Sequence, residues 1–281
     1  MTDQVKYTQK LKGDKVLVIG GSSGQYIVFS HCIIRLSANR IPGIGYAVSE
    51  ALVENGCKVI VSSSNPSRVE QTVKKLQQAY PSSASNVSGH PCNLGDEKSI
   101  EKNIVELLEK SGKLDHIVYT AADALAQMPL DTIDIEKIHK AGLLRFFGPM
   151  LVGKYASKYL TGGPKSSITL TTGGVMHKPI PDWTVIGAYA TGLAGLTRGL
   201  ALDLKPIRVN LVSPGAVDTE LWANSGFTEE QKKGMMDGIA KGLATGKVPG
   251  PEEIAESYVY LIRDHNTSGV IVSTDGGFRL T

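Results

Sequence analysis

The sequence predicts an α/β fold: a single domain over residues 1–281, with one doubly wound parallel sheet of about seven strands and helices on both faces. Three observations predict it. Apolar runs of strand length alternate with longer segments of helical periodicity along the whole chain. The strand runs are nearly continuous in Val, Ile and Leu, as in strands that are buried on both faces. The first run leads into a glycine-rich turn, residues 20–24, which is typical of a dinucleotide-binding βα unit.

The elements follow in order along the chain. The pair Asn55-Gly56 favours the end of the first helix just before the second strand. Residues 213–250 are predicted to form a small lobe with one helix, 229–241, over the carboxyl edge of the sheet, where ligands bind in such folds. The predicted strands are residues 15–19, 58–62, 87–94, 116–120, 167–171, 208–212 and 270–273, and the other predicted helices are residues 44–54, 68–80, 98–111, 135–159, 185–204 and 252–263.

Composition and charge exclude several classes of function. The net charge is only +3, and basic residues are interleaved with acidic ones, so neither nucleic acid nor an anionic membrane surface is an expected partner. The three cysteines, Cys32, Cys57 and Cys92, have no metal-ligand spacing, and no metal site is predicted. The polar N-terminus lacks a signal-like apolar region, and the longest apolar tract, residues 26–36, is shorter than the roughly 20 residues that a membrane span needs. We therefore expect a soluble, cytoplasmic protein.

Several blocks of the sequence together indicate a family. The turn at residues 20–24 reads GGSSG and is completed later by Gly43-Ile44-Gly45; downstream stand LDHIV at 114–118, IRVNLVSPGAVDTELW at 207–222 and STDGG at 273–277. In these blocks the chain resembles the short-chain dehydrogenase/reductase family, and it is similar in texture to the fungal members. The resemblance covers all but the first dozen residues and residues 25–43. It implies a Rossmann fold and an oxidoreductase that uses NAD or NADP.

The resemblance also implies which residues hold the cofactor. In the glycine-rich turn and at the start of the next helix they are Gly20, Ser22, Ser23, Gly24, Ile44 and Gly45. Asn93 and Leu94 match the pair that holds adenine, with Asn in place of the usual Asp. Ala121 and Ala122 lie where the nicotinamide-side ribose passes, and the carboxamide turn corresponds to Pro214, Gly215, Val217 and Thr219.

The residues after the second strand indicate which cofactor is preferred. An NAD-binding chain has a carboxylate here that accepts from both ribose hydroxyls. This chain has Ser63, Ser64 and Asn65, with Arg68 one turn later. Hydroxyl groups and a guanidinium suit a 2′-phosphate, and no acid repels it, so we predict NADP in preference to NAD. The alternative is that Arg68 is simply a solvated residue of the first helical turn.

The usual catalytic residues of the family are missing. Aligned on Gly195-Leu196-Thr197, the positions of the catalytic Tyr and of the Lys four residues later hold Ile186 and Ala190. Tyr189 lies three residues late, and counting from it puts Leu193 at the Lys position. The lysine is therefore absent in either alignment.

Three other residues are candidates for catalysis. Thr172 keeps a hydroxyl at the position of the family's Ser, and Arg145 takes the position of its Asn. We expect a rewired set of Thr172, Tyr189 and Arg145 to supply the proton, with His177 or Lys178 as further candidates from the loop above. Arg145 either faces the site or pairs with an acid such as Asp123, because an unpaired Arg in an apolar helix is costly.

The resulting interpretation is an NADP-dependent reductase or dehydrogenase of a small carbonyl or enone, with secondary metabolism as one setting. The missing Tyr/Lys pair leaves two alternatives open: a catalytically degenerate cofactor-binding or regulatory protein, and a redox-neutral isomerase or dehydratase. The resemblance is compatible with a homodimer or homotetramer built through the long fourth and fifth helices.

An insert of 19 residues, 25–43, interrupts the glycine-rich turn. Deletion of these residues joins GGSSG directly to IGYAV and restores the complete turn of the family. The insert is rich in β-branched and aromatic residues, unlike a surface loop. We interpret it as the translation of a retained in-frame intron or a mispredicted gene junction. The alternative is a genuine lid or partner-binding insert.

Overall fold

Seven parallel strands form one sheet in the order β3-β2-β1-β4-β5-β6-β7 in the computed structural model, which describes residues 5–22, 43–123, 128–219 and 228–281. The strand order reverses between β1 and β4, so the carboxyl ends of these two strands flank the switch-point crevice in which such sheets bind ligands. This arrangement confirms the predicted fold. The strands are β1 (Lys15–Ile19), β2 (Lys58–Ser62), β3 (Val87–Gly89), β4 (His116–Tyr119), β5 (Ser167–Thr171), β6 (Arg208–Pro214) and β7 (Ile271–Thr274).

Helices cover both faces of the sheet. One face packs a cluster of buried residues from α3, α5 and α6 against the strands, and the other packs α1 and the last helix. The predicted helix of the lobe is present. The described helices are α1 (Ile44–Glu54), α2 (Pro66–Ala79), α3 (Ile100–Ser111), α4 (Ile135–Gly142), α5 (Gly148–Tyr159), α6 (Thr184–Asp203), α7 (Glu229–Lys241) and α8 (Pro251–Arg263).

The predicted third strand, residues 87–94, is too long. Strand β3 ends at Gly89, which pairs with Val61, and a Cβ at Gly89 would collide with the side chain of Val69 on α2. The chain then continues as irregular structure, although the Cys92 N–H still donates to the Ser63 carbonyl at 2.9 Å. This extension carries Asn93 and Leu94 to the same edge as the end of β2.

The predicted helix 135–159 is interrupted by a π-helical turn, Leu143–Phe147, between α4 and α5. Pro149 has no N–H to continue the α-helical hydrogen bonding at the start of α5. Tyr119 at the end of β4 donates its hydroxyl to the Leu144 carbonyl at 2.8 Å, an approach that only a glycine at position 148 allows. The interruption therefore depends on a distant strand. Such π turns are frequent at functional sites.

A buried arginine joins β6 to the end of α8. The guanidinium of Arg208, 3% exposed, donates to the carbonyls of Leu261 at 2.7 Å and Ile262 at 2.9 Å, and also to those of Pro164 and Thr267. These carbonyls include the unsatisfied acceptors at the carboxyl end of a helix. Arg208 thereby satisfies them and fixes α8 against the sheet.

Helix α6 is long and apolar enough to cross a membrane by length and composition alone, with a mean hydropathy of 1.2. Its inward residues, which include Leu193 and Thr197, are buried against the sheet. Of its apolar window, 28% is buried in the structure.

Candidate active site

Backbone contacts at the switch point bring together the glycine-rich turn, the start of α1 and the end of β4. Gly20 has φ +92°, and a Cβ there would collide with the backbone of Ala121; a Cβ at Gly45 would collide with the Gly20 carbonyl. The first turn of α1 from Ile44 carries no acidic residue. The N-terminal amides of α1 and its helix dipole therefore favour an anion, and the described part of the turn fits the pyrophosphate of a dinucleotide. Ser22 lies at the end of the described turn; Ser23 and Gly24, with residues 25–42 of the predicted insert, lie outside the described residues.

The predicted 2′-phosphate residues lie together at the carboxyl end of β2. Asn65 caps α2 by accepting from the Arg68 N–H at 3.1 Å, while Ser64 and Asn65 are exposed. The Oγ atom of Ser63 is buried without a hydrogen-bond partner among the described residues. The nearest acid along α2, Glu70, forms an ion pair with Lys74. This edge thus offers hydroxyl groups and no carboxylate of its own.

The predicted adenine pair has a structural role in this conformation. The Oδ1 atom of Asn93 accepts from the Gly95 N–H at 2.9 Å, and its carbonyl accepts from the Asn103 side chain at 2.7 Å. Leu94 is buried in the core beneath. Asn93 therefore shapes the turn that leads to α3.

On the nicotinamide side, Ala121 is half-buried and Ala122 exposed beyond the end of β4. Gly215, which follows Pro214 at the end of β6, donates its N–H to the Thr274 carbonyl at 3.1 Å, and a Cβ there would lie 2.9 Å from Cα of Asp275. The predicted carboxamide turn is therefore supported by the end of β7. Val217 and Thr219 are buried within it.

Thr172 lies beside the position of the missing lysine. Its hydroxyl donates to the Ala190 carbonyl at 2.9 Å, and its N–H donates to the Val212 carbonyl. Ile186, at the position of the missing Tyr, is 4% exposed and packs in a cluster with Met128 and Ala141. Apolar groups therefore fill both positions of the usual proton donor pair.

Tyr189 points toward α4 and the π turn. Its hydroxyl donates to the Ile138 carbonyl at 3.1 Å, and its ring packs on Phe146 and Phe147 at centroid distances of 5.4 and 5.9 Å. Burial raises the pKa of the phenol. Among the described residues, no hydrogen bond joins Tyr189 to Thr172.

Arg145 forms an ion pair with Asp123, the acid that the sequence analysis named as a partner. The Nε atom donates to Asp123 Oδ1 at 2.8 Å, and Nη2 donates to the Asp123 carbonyl. Both side chains remain partly exposed, at 18% and 28%. Because Asp123 follows the end of β4 by four residues, the pair lies at the carboxyl edge of the sheet.

The loop candidates His177 and Lys178 contact the C-terminal end of the chain. His177 Nε2 lies 3.5 Å from Ser273 Oγ, and Lys178 Nζ lies 5.0 Å from the centroid of the Phe278 ring. Neither contact involves Thr172, Tyr189 or Arg145.

A cavity of about 300 Å³ lies between the loop that follows Thr172 and the first turns of α6. The Nε1 atom of Trp183 is buried without a hydrogen-bond partner among the described residues. Sequence reasoning missed this cavity, although Trp183, Gly187 and Thr191 are spaced so that they share one helical face. The lining is mainly apolar and consists of Val175, Met176, Pro179, Ile180, Trp183, Thr184, Gly187 and Thr191.

Comparisons with known proteins agree with this geometry. The family model "SDR-like rossmann domain" matches residues 33–281. The short-chain dehydrogenase/reductase fsr5 of Gibberella fujikuroi is 38% identical over 98% of each chain. A solved structure of the MalC reductase/Diels-Alderase from Malbranchea aurantiaca has a TM-score of 0.86 and 35% identity, covering 98% of this chain and 100% of that one. The NADPH-dependent aldehyde reductase 1 of Arabidopsis thaliana is 26% identical, over 96% of this chain and 88% of its own. The chain belongs to the short-chain dehydrogenase/reductase family of oxidoreductases.

Proposed function

We propose that the protein is an NADP(H)-dependent reductase of a small carbonyl or enone in secondary metabolism. The observation that carries the proposal is the acid-free carboxyl end of β2, where Ser63, Ser64, Asn65 and Arg68 lie together beside the glycine-rich turn. A 2′-phosphate needs donors and tolerates no carboxylate here. The Arabidopsis relative named as NADPH-dependent supports the same choice.

The residues of this chain would divide the catalytic work in an unusual way. When bound, NADPH would supply the hydride. Arg145 has five N–H donors, and its pair with Asp123 leaves some of them for the oxygen of a substrate carbonyl. Because a guanidinium does not lose its proton near neutral pH, Arg145 would stabilise developing negative charge rather than protonate it.

The proton would then come from a hydroxyl group. Thr172 and Tyr189 each donate at present to a backbone carbonyl, so either would have to exchange that bond for one to the substrate. Burial raises the pKa of the Tyr189 phenol, and no lysine lowers it, so this phenol is a weaker acid than the family's Tyr. A slow reductase is the expected result.

Cofactor binding and NADPH oxidation test the proposal together. We expect titration calorimetry to show tighter binding of NADPH than of NADH, and a panel of ketones, quinones and enones to contain compounds that are reduced. Preference for NADH would contradict the choice of cofactor. Tight NADPH binding with no turnover on the panel would favour the non-catalytic alternative.

A redox-neutral reaction is the second candidate function. The cavity is mainly apolar, and Ile186 and Ala190 remove the proton donor pair that carbonyl reduction normally needs. The relative MalC is named as both a reductase and a Diels-Alderase, and a cycloaddition requires no proton donor and no net redox change. Conversion of a substrate without NADPH oxidation would support this candidate over the reductase.

We also propose that the protein is cytoplasmic and forms a homodimer or homotetramer. Two apolar side chains on helices α5 and α6 are exposed: Leu202 on the outer face of α6 at 67%, and Met150 on α5 at 41%. Exposed apolar groups on two neighbouring helices suit an interface with a second copy. Light scattering coupled to gel filtration measures the mass directly, and a monomer would contradict the assembly.

A further inference from the structure

We propose that Phe278 is a positioning residue that determines the size of substrate that the cavity accepts. The proposal rests on the proposed function, in which the cavity beside Thr172 takes the substrate. Phe278 does not line the cavity. It acts through the loop of residues 174–178, which supplies part of the cavity wall.

Phe278 contacts this loop. A Cβ built on Gly174 would lie 3.2 Å from Cδ1 and 3.5 Å from Cε1 of the Phe278 ring, so backbone and ring lie close together. Lys178 Nζ lies 5.0 Å from the ring centroid, within the range of a cation–π contact. Phe278 thus touches the loop at both ends, and between those ends lie Val175 and Met176, two residues of the cavity wall.

A closed turn carries Phe278. Asp275 is 7% exposed and accepts from the Gly277 N–H at 3.0 Å and from Arg279 Nε at 2.8 Å. Gly276 and Gly277 have φ of +62° and +80°, a pair of left-handed residues that makes the turn tight. The direction of the Phe278 side chain is therefore set by a closed turn rather than by a free terminus.

The same segment is attached to the lobe of residues 213–250. The Thr245 N–H donates to the Gly276 carbonyl at 3.1 Å, and a Cβ at Gly277 would lie 2.6 Å from Cβ of Ala244. Thr281 also donates to the Gly242 carbonyl. Residues 275–281 therefore connect the chain beyond α7 with the loop 174–178. A smaller side chain at position 278 would free the loop while the turn itself stays in place.

The test compares Phe278→Ala with Phe278→Leu, which keeps part of the packing, and with Leu280→Ala as a matched control. Leu280 lies on the same segment and is 85% exposed. Cyclohexanone and the bulkier 2-tetralone are the two probes, each measured for binding in the presence of NADPH and for NADPH oxidation. Hydrogen exchange of residues 174–180 reports how readily the loop opens, without any need for turnover.

We expect Phe278→Ala to speed exchange in residues 174–180 and to shift the ratio of the two dissociation constants by about tenfold toward 2-tetralone, since one methylene in an apolar pocket changes selectivity by that order. Phe278→Leu should give a smaller shift in the same direction, and Leu280→Ala none. An unchanged ratio in a folded Phe278→Ala variant would overturn the proposal, even with faster exchange. A shifted binding ratio without NADPH oxidation in any form would support the role of Phe278 and count against the reductase instead.

Discussion

The hydroxyl of Tyr189 donates a 3.1 Å hydrogen bond to the backbone carbonyl of Ile138 on α4. The phenol nearest to the family's catalytic position therefore has a structural partner in this conformation. Thr172 has one too, in the carbonyl of Ala190. Catalysis by either hydroxyl requires that a substrate compete with a protein carbonyl, and this competition can be measured.

Tyr189→Phe is expected to lower kcat/KM by about 100-fold if the phenol supplies the proton, the usual size of a general-acid contribution. Loss of the bond to Ile138 should also lower the free energy of unfolding by about 1 kcal/mol. Steady-state kinetics and denaturant titration separate the two effects. Tyr155→Phe, on the other side of α5, is the control. A loss of stability with unchanged kcat/KM would remove Tyr189 as the donor.

Arg145→Met is expected to reduce kcat/KM by about 100-fold or more, as does the loss of one preorganised donor to a developing oxyanion. Arg145→Lys should retain more of the activity than Arg145→Met but less than the wild type, because an ammonium cannot reproduce the two-point contact with Asp123. The variant Asp123→Asn, alone and combined with Arg145→Met, shows whether the pair acts as a unit. Equal activity in the wild type, in Arg145→Met, in Asp123→Asn and in the double variant would mean that the ion pair is purely structural.

Ser63→Asp is expected to weaken NADPH binding by about tenfold or more and to spare NADH, since juxtaposed like charges cost several kcal/mol. The substitution places a carboxylate where the sequence has only hydroxyl groups, an amide and a guanidinium. Titration calorimetry with both cofactors measures the change, with Lys74→Ala on the outer face of α2 as the control. If the substitution changes the dissociation constants of NADPH and NADH by the same factor, the 2′-phosphate lies elsewhere.

Deletion of residues 25–43 is expected to tighten NADPH binding by about tenfold or more, equivalent to at least 1.4 kcal/mol. The close contacts of Gly20 with Ala121 and of Gly45 with Gly20 require the turn and the start of α1 to meet. A short connection holds them together at lower entropic cost than a long one. Sequencing of the transcript complements the titration. Equal dissociation constants together with a dominant message that carries all of these codons would establish a genuine insert.

The protein is expected to lose stability above about pH 9, where an exposed thiol ionises. Burial raises the pKa of the Cys57 thiol to about 12, and the negative charges of Asp14 and Asp115 contribute to the same shift to a smaller extent. The unfolded chain therefore releases this proton at lower pH than the native one, and stability falls as the pH rises from the unfolded value through the folded value. Denaturant titrations at several alkaline pH values measure the slope, and Cys57→Ala should reduce it. A slope unchanged by that substitution would assign the effect to other groups.

The order of strands and helices could be predicted because each element has its own local pattern of apolar residues in the sequence. The bounds of β1, α1, β2, β5 and α7 agree with the sequence. The break in helix 135–159 could not be predicted, since it depends on Tyr119 and Gly148 meeting across the fold. The candidate site, too, could be predicted only in part. Sequence reasoning identified Arg145 and named Asp123 as a partner, but the direction of the Tyr189 ring is set by Phe146 and Phe147, which helical spacing does not reveal.

The support of Gly215 by Asp275 has a consequence for the far edge of the sheet. The predicted carboxamide turn follows β6, and it rests on β7 and on the turn after β7. Damage to β7 is therefore expected to weaken cofactor binding through the predicted nicotinamide side, although none of the predicted cofactor residues belongs to β7.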